Sequence, residues 1–156
     1  MRNITRIFIH CTAGYGNVES IKRFWKETLK WKSVGYHRII DLEGNTYNLS
    51  PFEEVTNGVK NYNSNSIHIS YIGGVSKQDN RTAQDTRTDK QKEAIICEIK
   101  NALEYLKSKG QDVSKIKILG HRDISPDKNL NGRVDSWERI KECPSFDAIP
   151  EYKNLI

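Results

Sequence analysis

Three side chains able to hold a transition metal stand far apart in this 156-residue chain: His10 in IFIHCTA, His121 in GHRD and Cys143 in KECPSFD. Zinc favours imidazole and thiolate, and a catalytic zinc takes three protein ligands and keeps a fourth position for water. The set meets that count. It lacks a tight spacing such as CxxC, so on residue type alone His10 and His121 read equally well as hydrogen-bonded surface histidines and Cys143 as a buried thiol. Between His121 and Cys143 lies a second candidate. Residues 127–138, DKNLNGRVDSWE, match the calcium-loop pattern D-x-[DN]-x-[DN]-G-x5-E. Asp127, Asn129 and Asn131 would be side-chain ligands, Arg133 would give its carbonyl, Asp135 would bind directly or through water, and Glu138 would be bidentate. Gly132 would make the sharp turn and Val134 would pin the loop inward. Ser125-Pro126 leaves no room for an entering helix, and a polar Asn-Gly turn without an ion fits the same residues.

The elements that must position these groups follow from periodicity. Ile4 to Thr12 alternates as a strand, with Phe8, His10 and Thr12 on one face and Ile7, Ile9 and Cys11 on the other. Asn17 caps a predicted helix running to about Trp31, with Ile21, Phe24, Trp25 and Leu29 at helical spacing. Tyr36 to Asp41 and Thr46 to Leu49 form a hairpin around Leu42-Glu43-Gly44-Asn45. Residues 51–66 read as a loop and Ser66 to Gly73 as a strand. Residues 75–87 are polar and read as a mobile surface loop. The capping box Thr88-Asp89-Lys90-Gln91 opens the longest helix, with Ile95, Ile99, Ala102, Leu103 and Leu106 on one face and Gly110 as its stop. Ile116 to Gly120 is the last strand, and a short helix is expected over Ser136 to Lys141. The order β-α-β-β-β-α-β-α predicts a single α/β domain, a central mixed β-sheet flanked by helices, spanning residues 1–156.

Composition bounds the function. The chain is 36% apolar and 29% charged, as ordinary globular proteins are, and has no run of 18 apolar residues to form a transmembrane segment. No signal peptide is visible in MRNITRIFIH. Three cysteines argue against a disulfide framework; Cys11 and Cys97 read as buried free thiols. A net charge of +5 favours an anionic partner, and both nucleic acid and bacterial cell wall qualify. The basic residues are dispersed, which disfavours a nucleic-acid reader, and that reading leaves the His/His/Cys set unexplained.

IFIHCTA, VGYHRII, NYNSNSIHISYIGG, GHRD and KECPSFD, in this order and spacing, closely resemble the zinc-dependent N-acetylmuramoyl-L-alanine amidases, the group that includes phage endolysins and peptidoglycan recognition proteins. The likeness covers about Ile4 to Asp147. It implies a mixed sheet flanked by helices, zinc held by His10, His121 and Cys143, and Tyr36 and Lys141 as catalytic helpers. It also implies hydrolysis of the amide joining the lactyl group of N-acetylmuramic acid to L-alanine in peptidoglycan. On residue type alone Tyr36 reads as a core aromatic and Lys141 as a solvated lysine.

The chain departs from the family at one place. Many members carry a His in the loop before the Tyr-Asn motif, where this chain has Gly58, and many have Gly where this chain has His68. His68 is therefore a candidate substitute for substrate binding, or else a strand histidine with a satisfied hydrogen bond. His37 follows Tyr36, faces the other way and reads as structural. Calcium in the 127–138 loop would order it and so fix Lys141 and Cys143. A peptidoglycan-binding module without catalysis is the alternative function; retention of Cys143 and Tyr36 favours the hydrolase. The resemblance implies action on the wall, in the periplasm or outside the cell. The chain is expected to be a monomer that stays in the cytoplasm until lysis.

Overall fold

The computed structural model describes residues 2–132 and 134–156. Among the described residues five strands form one mixed sheet: β1 (Arg6–Cys11), β2 (Arg38–Ile40), β3 (Thr46–Asn48), β4 (Ser66–Tyr71) and β5 (Lys117–Gly120), in the order β3-β2-β4-β1-β5. β1 lies parallel to both β4 and β5, β2 is parallel to β4, and β3 turns back antiparallel at the edge. Parallel strands need crossovers, and the long helix α2 (Asp89–Ser108) supplies the one into β5. Its start is the expected capping box: Thr88 accepts from the Gln91 amide while the Gln91 side chain accepts from the Thr88 amide.

The period-2 alternation of β1 and β4 divides their side chains between two faces. Ile7, Ile9, Cys11, Ile67, Ile69 and Tyr71 pack with Ile95, Ile99, Ala102, Leu103 and Leu106 of α2 in the main core. Phe8, His10, His68 and Ser70 occupy the opposite face and are also fully buried. That second face carries two smaller apolar clusters, Phe8 with Val59 and Leu119, and Trp25 with Ile39 and Ile72. Among the described residues no helix is long and apolar enough to cross a membrane.

Several local expectations are revised. The first helix is α-helical only over α1 (Val18–Arg23), capped by the Asn17 side chain on the Ser20 amide, and continues as a π-helical turn, Phe24–Thr28. Of its apolar residues Trp25 is buried while Phe24 and Leu29 are exposed. Cys97 is exposed; it follows Ile95 by two positions, about 200° around the helix from the buried stripe. The 75–87 segment is exposed along most of its length but anchored: Val75 bridges to Ala83, and the buried Arg87 pairs with Asp85 and Glu151. Glu151 belongs to a short C-terminal helix, α3 (Ala148–Tyr152), absent from the sequence reading. Residues 136–141 form only a 3₁₀ turn, Ser136–Glu138.

Candidate metal centre

β1 and β5 are neighbours in register, with Ile9 opposite Gly120. His10 on β1 therefore stands beside His121, the residue that follows β5, and their ring centroids are 5.2 Å apart. Cys143 returns to this point after the insert. The Arg122 amide donates to the Cys143 carbonyl at 2.7 Å, and the Tyr71 hydroxyl donates to the Pro144 carbonyl at 2.6 Å. Arg122, itself buried, pairs with Asp147 at 2.5 Å and so holds the same segment from its far end. Gly120 makes the approach possible: a Cβ there would lie 2.4 Å from Pro144 Cδ.

These constraints bring the ligand atoms of His10, His121 and Cys143 within 4.8 Å of one another. Among the described residues no other group of three His, Cys, Asp or Glu side chains converges in this way. Burial first, then the nearby His68, His121 and Lys141, hold His10 well below the ordinary imidazole pKa. Burial, aided by the Lys141 charge, brings His121 down to about 4. Both rings are thus neutral at pH 7 and offer a nitrogen lone pair. Burial pushes the Cys143 thiol up. A bound cation would reverse that by deprotonating it, and the Cys11 amide, which donates to Cys143 Sγ at 3.2 Å, stands ready to stabilise the thiolate. Two neutral imidazoles and one cysteine sulfur in a partly buried corner form a donor set that zinc would accept.

Tyr36 lies against His10, ring centroids 4.8 Å apart. Burial above all raises its pKa, so its hydroxyl remains a proton donor at any physiological pH. Lys141 is exposed and, with His121, lines a cavity of about 420 Å³ bounded by Trp31, Gly58, Val59 and Lys60. His68, the residue suggested for substrate binding, is fully buried, and its ring backs His10 at 2.9 Å. Sequence reasoning gives Asn63 no role, yet it bonds His68; its position in the Tyr62-Asn63 motif was the available signal. Cys11 shares a face with the main core but reaches the centre through its backbone, a contact that side-chain alternation does not foresee.

The calcium expectation finds no support. The two oxygens of Asp127 accept from the amides of Asn131 and Gly132, and those of Glu138 from the amides of Asn129 and Asp135. The Asn129 and Asn131 side chains both donate to Asp135. The loop is thus a closed polar turn whose carboxylates are engaged by its own N–H groups. Arg133 lies outside the described residues.

The endolysin of Enterobacteria phage K11 is 29% identical over 146 residues, covering 92% of this chain and 82% of its own. Peptidoglycan-recognition protein SC2 of Drosophila melanogaster is 27% identical, covering 85% of this chain and 73% of its own. The solved Ph2119 endolysin from a Thermus scotoductus bacteriophage shares the fold with a TM-score of 0.63 at 22% identity, over 92% of this chain and 79% of that one. The family model described as N-acetylmuramoyl-L-alanine amidase matches residues 1–144. With the sheet, the His/His/Cys corner and a family match over nearly its whole length, the chain belongs to the N-acetylmuramoyl-L-alanine amidase family.

Proposed function

We propose that the chain is a zinc-dependent hydrolase of the amide between N-acetylmuramic acid and L-alanine in peptidoglycan. The observation that carries this reading is the convergence of His10, His121 and Cys143 with Tyr36 packed against the first of them. An amide is a weak electrophile and water a weak nucleophile at neutral pH. Zinc, when bound, supplies a water acidified to a pKa of about 7 and a Lewis acid for the carbonyl.

The chain's own residues do the rest. Attack on the carbonyl builds negative charge on its oxygen, and a donor aimed there lowers the barrier. Tyr36 keeps its proton and serves as that donor. Lys141 brings a positive charge to the rim of the groove, where it offsets the same charge and attracts the carboxylates of the stem peptide. Trp31 and Val59 give the groove an apolar wall against which a sugar or peptide can pack. The leaving amine needs a proton, and Tyr36, which keeps its own, would relay one. The net charge of +5 suits an anionic wall polymer.

The test is digestion of purified peptidoglycan, with free alanine amines counted before chelation, after chelation and after restoring zinc. Amine release that stops on chelation and returns with zinc is expected. Sedimentation with the wall without amine release would instead identify a binding module, the reading that the intact Cys143 and Tyr36 disfavour.

A further inference from the structure

We infer that His68 and Asn63 form a relay that fixes the tautomer and orientation of His10, making His68 a positioning residue for the metal centre. The inference rests on the zinc reading above.

The chain of hydrogen bonds can be read proton by proton from one backbone group. The Val59 amide donates to Asn63 Oδ1 at 2.8 Å, and an N–H can only donate, so that atom is the amide oxygen and an acceptor. The same oxygen lies 2.9 Å from His68 Nε2, which must therefore carry a hydrogen. A neutral imidazole has one N–H, so His68 Nδ1 is bare and accepts. It lies 2.9 Å from His10 Nε2, which must then be the N–H of His10. His10 Nδ1 is left with its lone pair, and it faces Cys143 Sγ at 3.7 Å, on the side where the ligand atoms converge.

The relay is built in, not incidental. His68 and His10 are both fully buried. Phe8 stacks on one face of the His68 ring at 5.5 Å and 14°, and His37 on the other at 6.0 Å and 14°. His37 Nδ1 also accepts the His68 backbone amide at 3.0 Å, which pins the strand at that residue. Gly58 closes the remaining side: a Cβ there would meet His68 Nδ1 at 2.3 Å. The ring thus fills the volume that any side chain at position 58 would need. Metal-bound histidines usually donate their second N–H to a carboxylate, a carbonyl or water, and loss of that partner typically weakens metal binding about 10- to 100-fold. Here the partner is a second neutral imidazole.

The test has two arms. The first is long-range ¹H–¹⁵N NMR of metal-free protein at pH 7.5, which needs no zinc. Both His10 and His68 should carry their proton on Nε2; a proton on Nδ1 of either ring overturns the relay. The second is zinc affinity by chelator competition. His68→Ala should bind zinc about 10- to 100-fold more weakly, and His68→Asn should recover most of the loss, because its amide oxygen stands where Nδ1 stood. Gly58→Ala, which retains His68 but displaces its ring, should resemble His68→Ala and guards against a misfolded variant. Affinities within twofold of wild type for both alanine variants would overturn the proposal. Should wild type hold no zinc while the tautomers are as stated, the zinc reading fails and the relay stands.

Discussion

A single methyl group at Gly120 should weaken the metal centre without touching a ligand. Gly120 has φ −88°, so alanine there carries no backbone strain, and its effect is one of packing alone. The added Cβ would sit 2.4 Å from Pro144 Cδ, where ordinary contact begins at 3.4 Å. Relief therefore requires the Cys143-Pro144 segment to retreat by about 1 Å, and overpacking of this kind typically destabilises by about 1–3 kcal/mol. A ligand displaced by about 1 Å exceeds the roughly 0.5 Å tolerance of a functional constellation. Zinc affinity of Gly120→Ala should fall at least about 10-fold, comparable to losing a supporting partner of a ligand. Chelator competition measures the affinity, and urea midpoints with and without zinc separate the packing loss from the metal loss. Wild-type affinity in a variant with an unchanged midpoint would show that Cys143 does not depend on this close approach.

Other outcomes follow from the same geometry. Tyr36→Phe should lower kcat by about 10²- to 10³-fold at unchanged zinc content, and an equal loss of zinc would assign Tyr36 to the ligand shell instead. Arg87→Ala removes the cation that joins Asp85 to Glu151 and should destabilise by about 2–3 kcal/mol, less than a fully buried pair because both carboxylates are about one-third exposed; an unchanged urea midpoint would contradict the clamp. Burial lowers His37 from 6.5 to about 4, so the unfolded chain takes up its proton first as pH falls. The stability of metal-free protein held by neutral His37 is complete above pH 6.5 and drains away towards pH 4, by about 3 kcal/mol for this one group. His37→Asn keeps an acceptor for the His68 amide but cannot titrate, so its urea midpoint should fall less between pH 7 and 4.5; equal falls would refute the assignment.

Local patterns made much of the fold readable. Alternation in IFIHC put His10 on the face opposite Ile9, and the Thr88 box and Ile95–Leu106 stripe located α2, because each signal lies within a few residues. Asn17 announced a helix start, but the widening after Arg23 has no signal of comparable strength. Helix α3 is five residues long with Pro150 inside it, too short for periodicity to register. What unites the site is not local. The adjacency of β1 and β5, the return of Cys143 and the stacking of His68 between Phe8 and His37 depend on sheet order, which residue spacing leaves open. The calcium pattern is left without support because Asp127 and Glu138 suit backbone N–H groups as well as they suit an ion.

X-ray absorption at the zinc edge of the loaded protein bears most directly on the metal centre. One sulfur at about 2.3 Å and two imidazole nitrogens at about 2.0–2.1 Å, with one further light atom, is the shell that His10, His121 and Cys143 with an open position predict. Two sulfurs, which would draw in Cys11, or a shell of oxygen and nitrogen alone would contradict it.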